Sequence, residues 1–402
     1  MRRTVFLSIL LGFLAALVLP VHAAELQRDQ EKVVAGIVKA GGYVEFDKES
    51  PERPVISVYL FDPLVGDVLL ERLKLLPRIE TLVLRDTRVT DDGLRHIEGM
   101  TRLRVLHLGS PEITDAGLEH LKGLSQLEEL ALGETQGTGA GLDCLKGLKR
   151  LQTLCLEGTT IQGAALEHLN ALNQVRTLVV GKVQVASPGL EYLKGMKQLR
   201  TIRFLDNGIT DAAVERLEGL HQIETLDFWN TEVTDAGLKH LKGMTGLREL
   251  LLGNTRVTDA GLEHLKGMTQ LRTLCLACNR ITGTGLKHLK DMARLQELDL
   301  GQTHVTDTSL EYISGMRQLR DLDISRTEIT DLGLKYLVDL TELRILDLFD
   351  TRITDAGLDN LKQLRKLQWL DLGQTERMRV TEVGVRAIKD KLPNLRVGGF
   401  EE

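Results

Sequence analysis

From Val55 onward the apolar positions of this chain fall into one short motif, Leu-x-x-Leu-x-Leu, that returns every 24 residues. Segments beginning at Val55, Ile79, Leu103, Leu127, Leu151, Val175, Leu199, Ile223, Leu247, Leu271, Leu295, Leu319, Leu343 and Leu367 stay in register with no insertion or deletion between them, fourteen units in all. In the unit LRELLLGNTRVTDAGLEHLKGMTQ the first six residues alternate, which predicts a short strand with Leu250 and Leu252 inward and Glu249 and Leu251 outward. Val257 then enters the core. Thr258 is placed to cap a short helix, and Asp259 sits in its first turn, where the helix dipole favours negative charge. Leu262, Leu265 and Met268 follow at three-residue spacing as the apolar stripe of that helix, and Gly267 suits a left-handed exit. A unit this small cannot bury its apolar face alone, so stacking of units must supply the core.

Both ends depart from the period. Residues 24–54 show helical spacing at Val33, Val34, Ile37 and Val38, a stop at Gly41-Gly42, an alternating stretch Tyr43–Phe46, and a turn framed by Pro51 and Pro54. This segment is expected to cap the exposed core before the repeats, which span residues 55–394. The last unit carries extra residues around Glu376-Arg377-Met378-Arg379, and the polar end 395–402 suits a C-terminal cap. Units from Leu127 to Val175 lack the Thr-Asp signature and are expected to be locally softer, each missing a cap of roughly 1 kcal/mol.

The Leu-x-x-Leu-x-Leu strand signature resembles that of leucine-rich repeat proteins. The continuation Ile113-Thr114-Asp115-Ala116-Gly117-Leu118, repeated as Ile353-Thr354-Asp355-Ala356-Gly357-Leu358, is similar to the type found in secreted bacterial and F-box leucine-rich repeat proteins. The resemblance implies an α/β fold, a right-handed β-α superhelix curved into a horseshoe with a parallel concave sheet and short convex helices. It also implies binding through the concave face without chemistry. One position departs from the family. The ninth residue of the unit, usually Asn or Cys, is mostly Thr (Thr87, Thr231, Thr255, Thr303, Thr327, Thr351), with Asn at Asn207 and Asn279. A hydroxyl can satisfy buried backbone groups, with fewer hydrogen bonds than an amide, so a structural ladder is expected.

Charge narrows the partner. With 27% charged residues and a formal net charge of -6 the chain has no basic field to hold nucleic acid. Arg2-Arg3, the apolar run Val5–Val18 and the small-residue pattern Val21-His22-Ala23 read as a signal peptide over residues 1–23. The run is shorter than the roughly 20 residues that span a bilayer. The mature chain is therefore expected to be secreted or periplasmic, without a membrane anchor. Four cysteines, Cys144, Cys155, Cys275 and Cys278, do not suggest a disulfide framework in a domain of this size.

At the fifth position of successive units stand Asp299, Asp323, Asp347 and Asp371, with Glu297 and Asp321 two residues earlier in their own units. Adjacent strands lie about 4.8 Å apart, so these carboxylates should form a ladder, each pair repelling by roughly 1 kcal/mol in water. Such a strip favours a basic partner or a cation. Its spacing follows strands rather than a calcium loop. The alternative is a solvated face balanced by Arg320, Arg326, Arg344 and Arg352. Phe61, Trp229 and Phe349 share the seventh position and Trp369 the third, so aromatic anchors are expected beside the charges, unless the seventh position packs against its neighbours.

Six histidines (His96, His120, His168, His240, His264, His288) share the eighteenth position, one per helix, too widely spaced for one metal ion, and read as packing residues. Six methionines at the twenty-second (Met100, Met196, Met244, Met268, Met292, Met316) read as core. Cys275-x-x-Cys278 lies on strand and turn rather than at a helix N-terminus, where a thiolate would be stabilised. No phosphate loop or nucleophile motif is present. These features point to a non-enzymatic module without cofactor that binds a protein or basic peptide through Asp299, Asp323, Asp347, Asp371, Glu297, Asp321, Trp229, Phe349 and Trp369. Two other readings are a substrate-selecting adaptor of the F-box type, for which no suitable helical region precedes the repeats, and a carboxylate-based hydrolase of cell-wall glycans, which lacks a second type of catalytic residue.

Overall fold

The computed structural model describes residues 27–400 apart from 138, 160–162, 182–186, 206–207 and 374–378, with backbone alone at 163–165 and 187–188. The signal-peptide reading, Asn207 and the extra residues Glu376-Arg377-Met378 lie outside the described residues. The chain divides into two compact units, Met1–Thr160 and Ile161–Glu402.

The first unit opens with a helix over 27–39 and holds strands β1 (Tyr43–Phe46), β2 (Val55–Leu60), β3 (Thr81–Leu84), β4 (Val105–Gly109), β5 (Glu129–Gly133) and β6 (Thr153–Cys155). β1 is antiparallel to β2, and β2 to β6 are parallel in sequence order. The second unit holds β7 (Thr177–Gly181), β8 (Thr201–Leu205), β9 (Thr225–Asp227), β10 (Glu249–Leu251), β11 (Thr273–Cys275), β12 (Glu297–Asp299), β13 (Asp321–Asp323), β14 (Ile345–Asp347), β15 (Trp369–Asp371) and β16 (Arg396–Gly398), all parallel and in sequence order. Leu250 pairs with Leu274 and Leu274 with Leu298, so the sequence period is also the strand register. β16 lies beyond the last Leu-x-x-Leu-x-Leu motif and pairs Arg396 with Trp369.

The apolar pattern accounts for the core. Leu247, Leu250, Leu252, Val257, Leu262, Leu265 and Met268 of one repeat are all fully buried, and each such side chain contributes about 2 kcal/mol through burial. The methionine column is buried at Met196, Met244, Met268, Met292 and Met316, whereas Met100 is half-buried. The predicted helices are shorter and tighter than α-helices. Asp235–Leu238 is one α-turn continued by the 3-10 turn Lys239–Leu241, and Gly261–Leu265 is 3-10 throughout. Side chains three residues apart eclipse one another in a 3-10 helix, so the spacing of Leu262, Leu265 and Met268 suits that geometry.

The Thr-Asp-x-Gly signature does more than cap. Thr234 and Thr354 accept the Ala236 and Ala356 amides, as an N-cap should. The aspartate, however, reaches into the following repeat. Asp235 accepts the Thr258 amide at 2.7 Å on one carboxylate oxygen and the Thr258 hydroxyl at 2.6 Å on the other. Asp67 with Thr90 and Asp91 with Thr114 make the same clasp in the first unit, and Asp331 with Thr354 and Asp355 with Thr381 make it in the second. A Cβ on Gly261 would stand 2.3 Å from the Asp235 carboxylate, so the glycine of the signature is the space this contact needs. At Asp259 burial works to raise the carboxyl's pKa, but the Thr282 hydroxyl and the amides of Gly285, Thr282 and Gly283 outweigh it and hold it below the usual range.

The ninth-position ladder is buried at Thr87, Thr231, Asn279, Thr303, Thr327 and Thr351 and half-buried at Thr255. Thr231, Thr303, Thr327 and Thr351 each donate to the carbonyl three residues back, at 2.6 to 2.7 Å. Asn279 donates to Leu252, Leu276 and Ala277 carbonyls and its oxygen accepts from Thr255, bridging two repeats where a threonine serves one.

Candidate functional site

What ends each strand also places the acidic row. After the sixth position the chain turns through a left-handed residue at the eighth, with φ between +52° and +58° from Asn230 to Asp350. Its amide bonds to the next repeat, as Cys278 does to the Gly301 carbonyl at 2.9 Å. The seventh amide is turned away from that ladder, and the fifth-position aspartate accepts it. Asp299 accepts from Gly301 (2.9 Å), Asp323 from Ser325 (2.8 Å), Asp347 from Phe349 (2.8 Å) and Asp371 from Gly373 (3.1 Å). Asp227 does the same for Trp229. One oxygen of each carboxylate is thus tied to backbone, a role the charge pattern alone does not reveal. Asp-x-x ahead of a left-handed residue is the signal that could have found it.

The register sets Asp299, Asp323, Asp347 and Asp371 directly side by side on β12 to β15. Two residues earlier, Glu297, Asp321, Ile345 and Trp369 form a parallel row, with Ile345 and Trp369 both 40% exposed. Among the described residues none of the six carboxylates has a salt bridge. Arg352 pairs instead with Glu328 at 2.5 Å, and Arg326 lies over the Phe349 ring, 5.2 Å from its centroid. The arginine balance of the alternative reading is therefore directed elsewhere at these two residues.

Crowding shows in the proton affinities. Burial, with Glu297, Asp323 and Asp299 close by, raises the Asp321 carboxyl to about 6. Burial raises Asp347 to about 6 as well, with Asp323 and Asp371 adding to it against the Phe349 amide. Asp299 is also raised, chiefly by burial, and its second oxygen accepts the Cys275 thiol at 3.2 Å.

The aromatic residues divide. Trp369 stands beside the row on β15. Phe349 is half-buried: its ring covers Gly373, where a Cβ would come within 2.1 Å of it. Trp229 covers Gly253 in the same manner and keeps 39% exposure. The seventh position thus packs on its neighbour, as the alternative reading had it, while leaving an exposed edge. Trp229 follows β9, five strand spacings or about 24 Å from β14, so it does not join the patch of Asp347 and Trp369.

Other candidates are placed without convergence. His120 and His240 face Glu98 and Glu218 on the helix side, and among the described residues no three His, Cys, Asp or Glu side chains are arranged to hold a metal ion. Burial, with Asp299 beside it, pushes the Cys275 thiol up, and Cys278 is raised as well, so neither favours the thiolate. No described helix is long and apolar enough to cross a membrane.

A stack of parallel strands, one per 24-residue unit, with a ladder of polar residues under each turn, is a leucine-rich repeat solenoid. Residues 245–305 and 293–353 match the family model described as leucine rich repeat, in agreement with that fold. Among solved structures it is similar to an internalin of Listeria monocytogenes, at 21% identity over 93% of this chain and 94% of that one with a TM-score of 0.60. A leucine-rich repeat protein of Leptospira interrogans is 17% identical over 81% of this chain and 91% of its own, with a TM-score of 0.47. No curated protein sequence matches the chain.

Proposed function

We propose that this protein is a non-enzymatic, extracytoplasmic binding module that recognises a basic protein or peptide on the exposed strand face from β12 to β15. The observation that carries the reading is the register of Asp299, Asp323, Asp347 and Asp371, which sets like charges side by side with no salt bridge among the described residues. Uncompensated, partly buried carboxylates raise the energy of the free protein, and a cationic partner relieves that repulsion. Ile345 and Trp369 beside the row offer apolar area that can be covered in the same contact. Asp321 and Glu297 extend the field at one side. The leader-like residues 1–23 support the extracytoplasmic setting.

The test is affinity capture with the mature chain and with Asp323→Lys/Asp347→Lys across a salt series. The reading expects a partner that is captured by the parent, released as salt rises, and lost by the variant. Equal capture by both proteins would refute it.

A further inference from the structure

A separate aromatic surface lies in the first unit. Tyr43 on β1 pairs in register with Tyr59 on β2, and their rings stack with centroids 4.4 Å apart and planes inclined by 14°. Phe61 follows at the end of β2, its ring 6.3 Å from that of Tyr43. Tyr43 is 49% exposed and Phe61 44%, so part of the aromatic surface of the stack stays open to solvent. The rings brace one another, which fixes the ledge before any ligand arrives.

Beyond the ledge the same face drops. Tyr59 is followed in register by Val83, His107 and Ala131, with Val83 and Ala131 buried, so the rings stand at the edge of a low floor. Polar groups sit around that floor in pairs. The Tyr59 hydroxyl donates to Glu45 at 3.3 Å, and His107 shares a 2.7 Å hydrogen bond with Glu129.

We propose that this ledge and floor form a second binding site, one that takes a neutral glycan. A sugar ring has apolar C–H faces that match the aromatic surface left exposed at Tyr43 and Phe61, and a rim of hydroxyls that both donate and accept. Glu45, Glu129 and His107 are the planar polar groups such a rim pairs with. Glu45 and Glu129 stand on β1 and β5 with no acidic row between them, and the exposed Arg85 follows β3, so the surface has no strong field to select an ionic ligand. A quaternary ammonium fits poorly, because the rings stack on each other instead of walling a box. The site lies outside the acidic face and does not rest on the function proposed for it.

The experiment uses the full mature chain with three uncharged probes, the hexasaccharides of β-1,4-N-acetylglucosamine, β-1,4-glucose and α-1,4-glucose, followed by saturation-transfer NMR and calorimetry. At least one is expected to bind. Tyr43→Ala and Phe61→Ala, tested separately, should each weaken it at least tenfold, Tyr43→Trp should retain it, and Asp323→Lys/Asp347→Lys should leave it unchanged. Circular dichroism of each variant against the parent separates loss of binding from loss of fold, and Tyr43→Trp keeps the test open if an alanine variant unfolds. Failure of all three probes, binding that survives loss of the rings, or a protein partner captured through Tyr43 in place of a glycan would each overturn the proposal.

Discussion

Asp235 holds Thr258 of the next repeat through both carboxylate oxygens, at 2.7 Å to the amide and 2.6 Å to the hydroxyl. The contact joins residues that are 23 apart in sequence, and its recurrence at successive turns ties the helix side of each unit together. Hydrogen bonds to an ionised carboxylate are worth more than neutral ones, so Asp235→Ala should lower the free energy of unfolding by about 2 kcal/mol. Gly261→Ala should cost a comparable amount, since its Cβ meets the same carboxylate. Urea titration of both variants checks this, and a cost below half a kcal/mol for each would show the clasp to be incidental.

Asn279 should matter more than its threonine counterparts. It serves three carbonyls and one hydroxyl, whereas Thr303 serves one carbonyl. Asn279→Ala is expected to destabilise by about 3 kcal/mol and Thr303→Ala by about 1 kcal/mol in the same urea assay. Equal costs would contradict the account of the ladder.

Thr87 stands at the same position of the ladder, buried, and its hydroxyl has no hydrogen-bond partner among the described residues. Replacing an unsatisfied buried hydroxyl by a methyl removes a desolvation cost. Thr87→Val is therefore expected to be neutral or stabilising by up to about 1 kcal/mol in thermal or urea unfolding. Loss of stability would mean that the hydroxyl is satisfied in solution.

The acidic face makes a signed prediction in pH. Asp321 and Asp347 are raised from 3.8 to about 6 in the folded chain. Folding then takes up protons between these values, so stability from these groups increases as pH falls through about 6, and their ionisation costs stability at pH 7.5. Asp321→Asn/Asp347→Asn should raise the unfolding free energy at pH 7.5 by about 1 kcal/mol, a figure reduced for the solvent screening of half-exposed groups. The gain should shrink at pH 5 and vanish near pH 3.8. A loss of stability at pH 7.5 would show that burial and the neighbouring carboxylates do not penalise the ionised forms.

Much of the fold was legible because the period of 24 fixes which residues pair: Leu250 against Leu274 follows from counting alone. The same counting placed Asp323 beside Asp347. What counting could not show was where side chains go after the strand ends. Asp259 reads as a helix-dipole residue until the next repeat is seen to supply Thr282. Phe349 reads as an exposed anchor until Gly373 is seen to lie under its ring. The stacking of Tyr43 on Tyr59 was hidden for another reason, since β1 lies outside the repeat and no period sets its antiparallel register.

The most direct test of the central claim uses Trp369, which stands on the strand next to Asp347, as its own reporter. In a Trp229→Phe background, titration with a lysine decapeptide at low salt should change Trp369 emission saturably. Raising salt should weaken the effect, Asp323→Lys/Asp347→Lys should abolish it, and Glu263→Lys/Glu311→Lys, which reverses the same number of charges on the helix side, should retain it. Equal responses from the two charge-reversed proteins, or no response from the parent, would contradict the claim that the in-register carboxylates form the recognition surface.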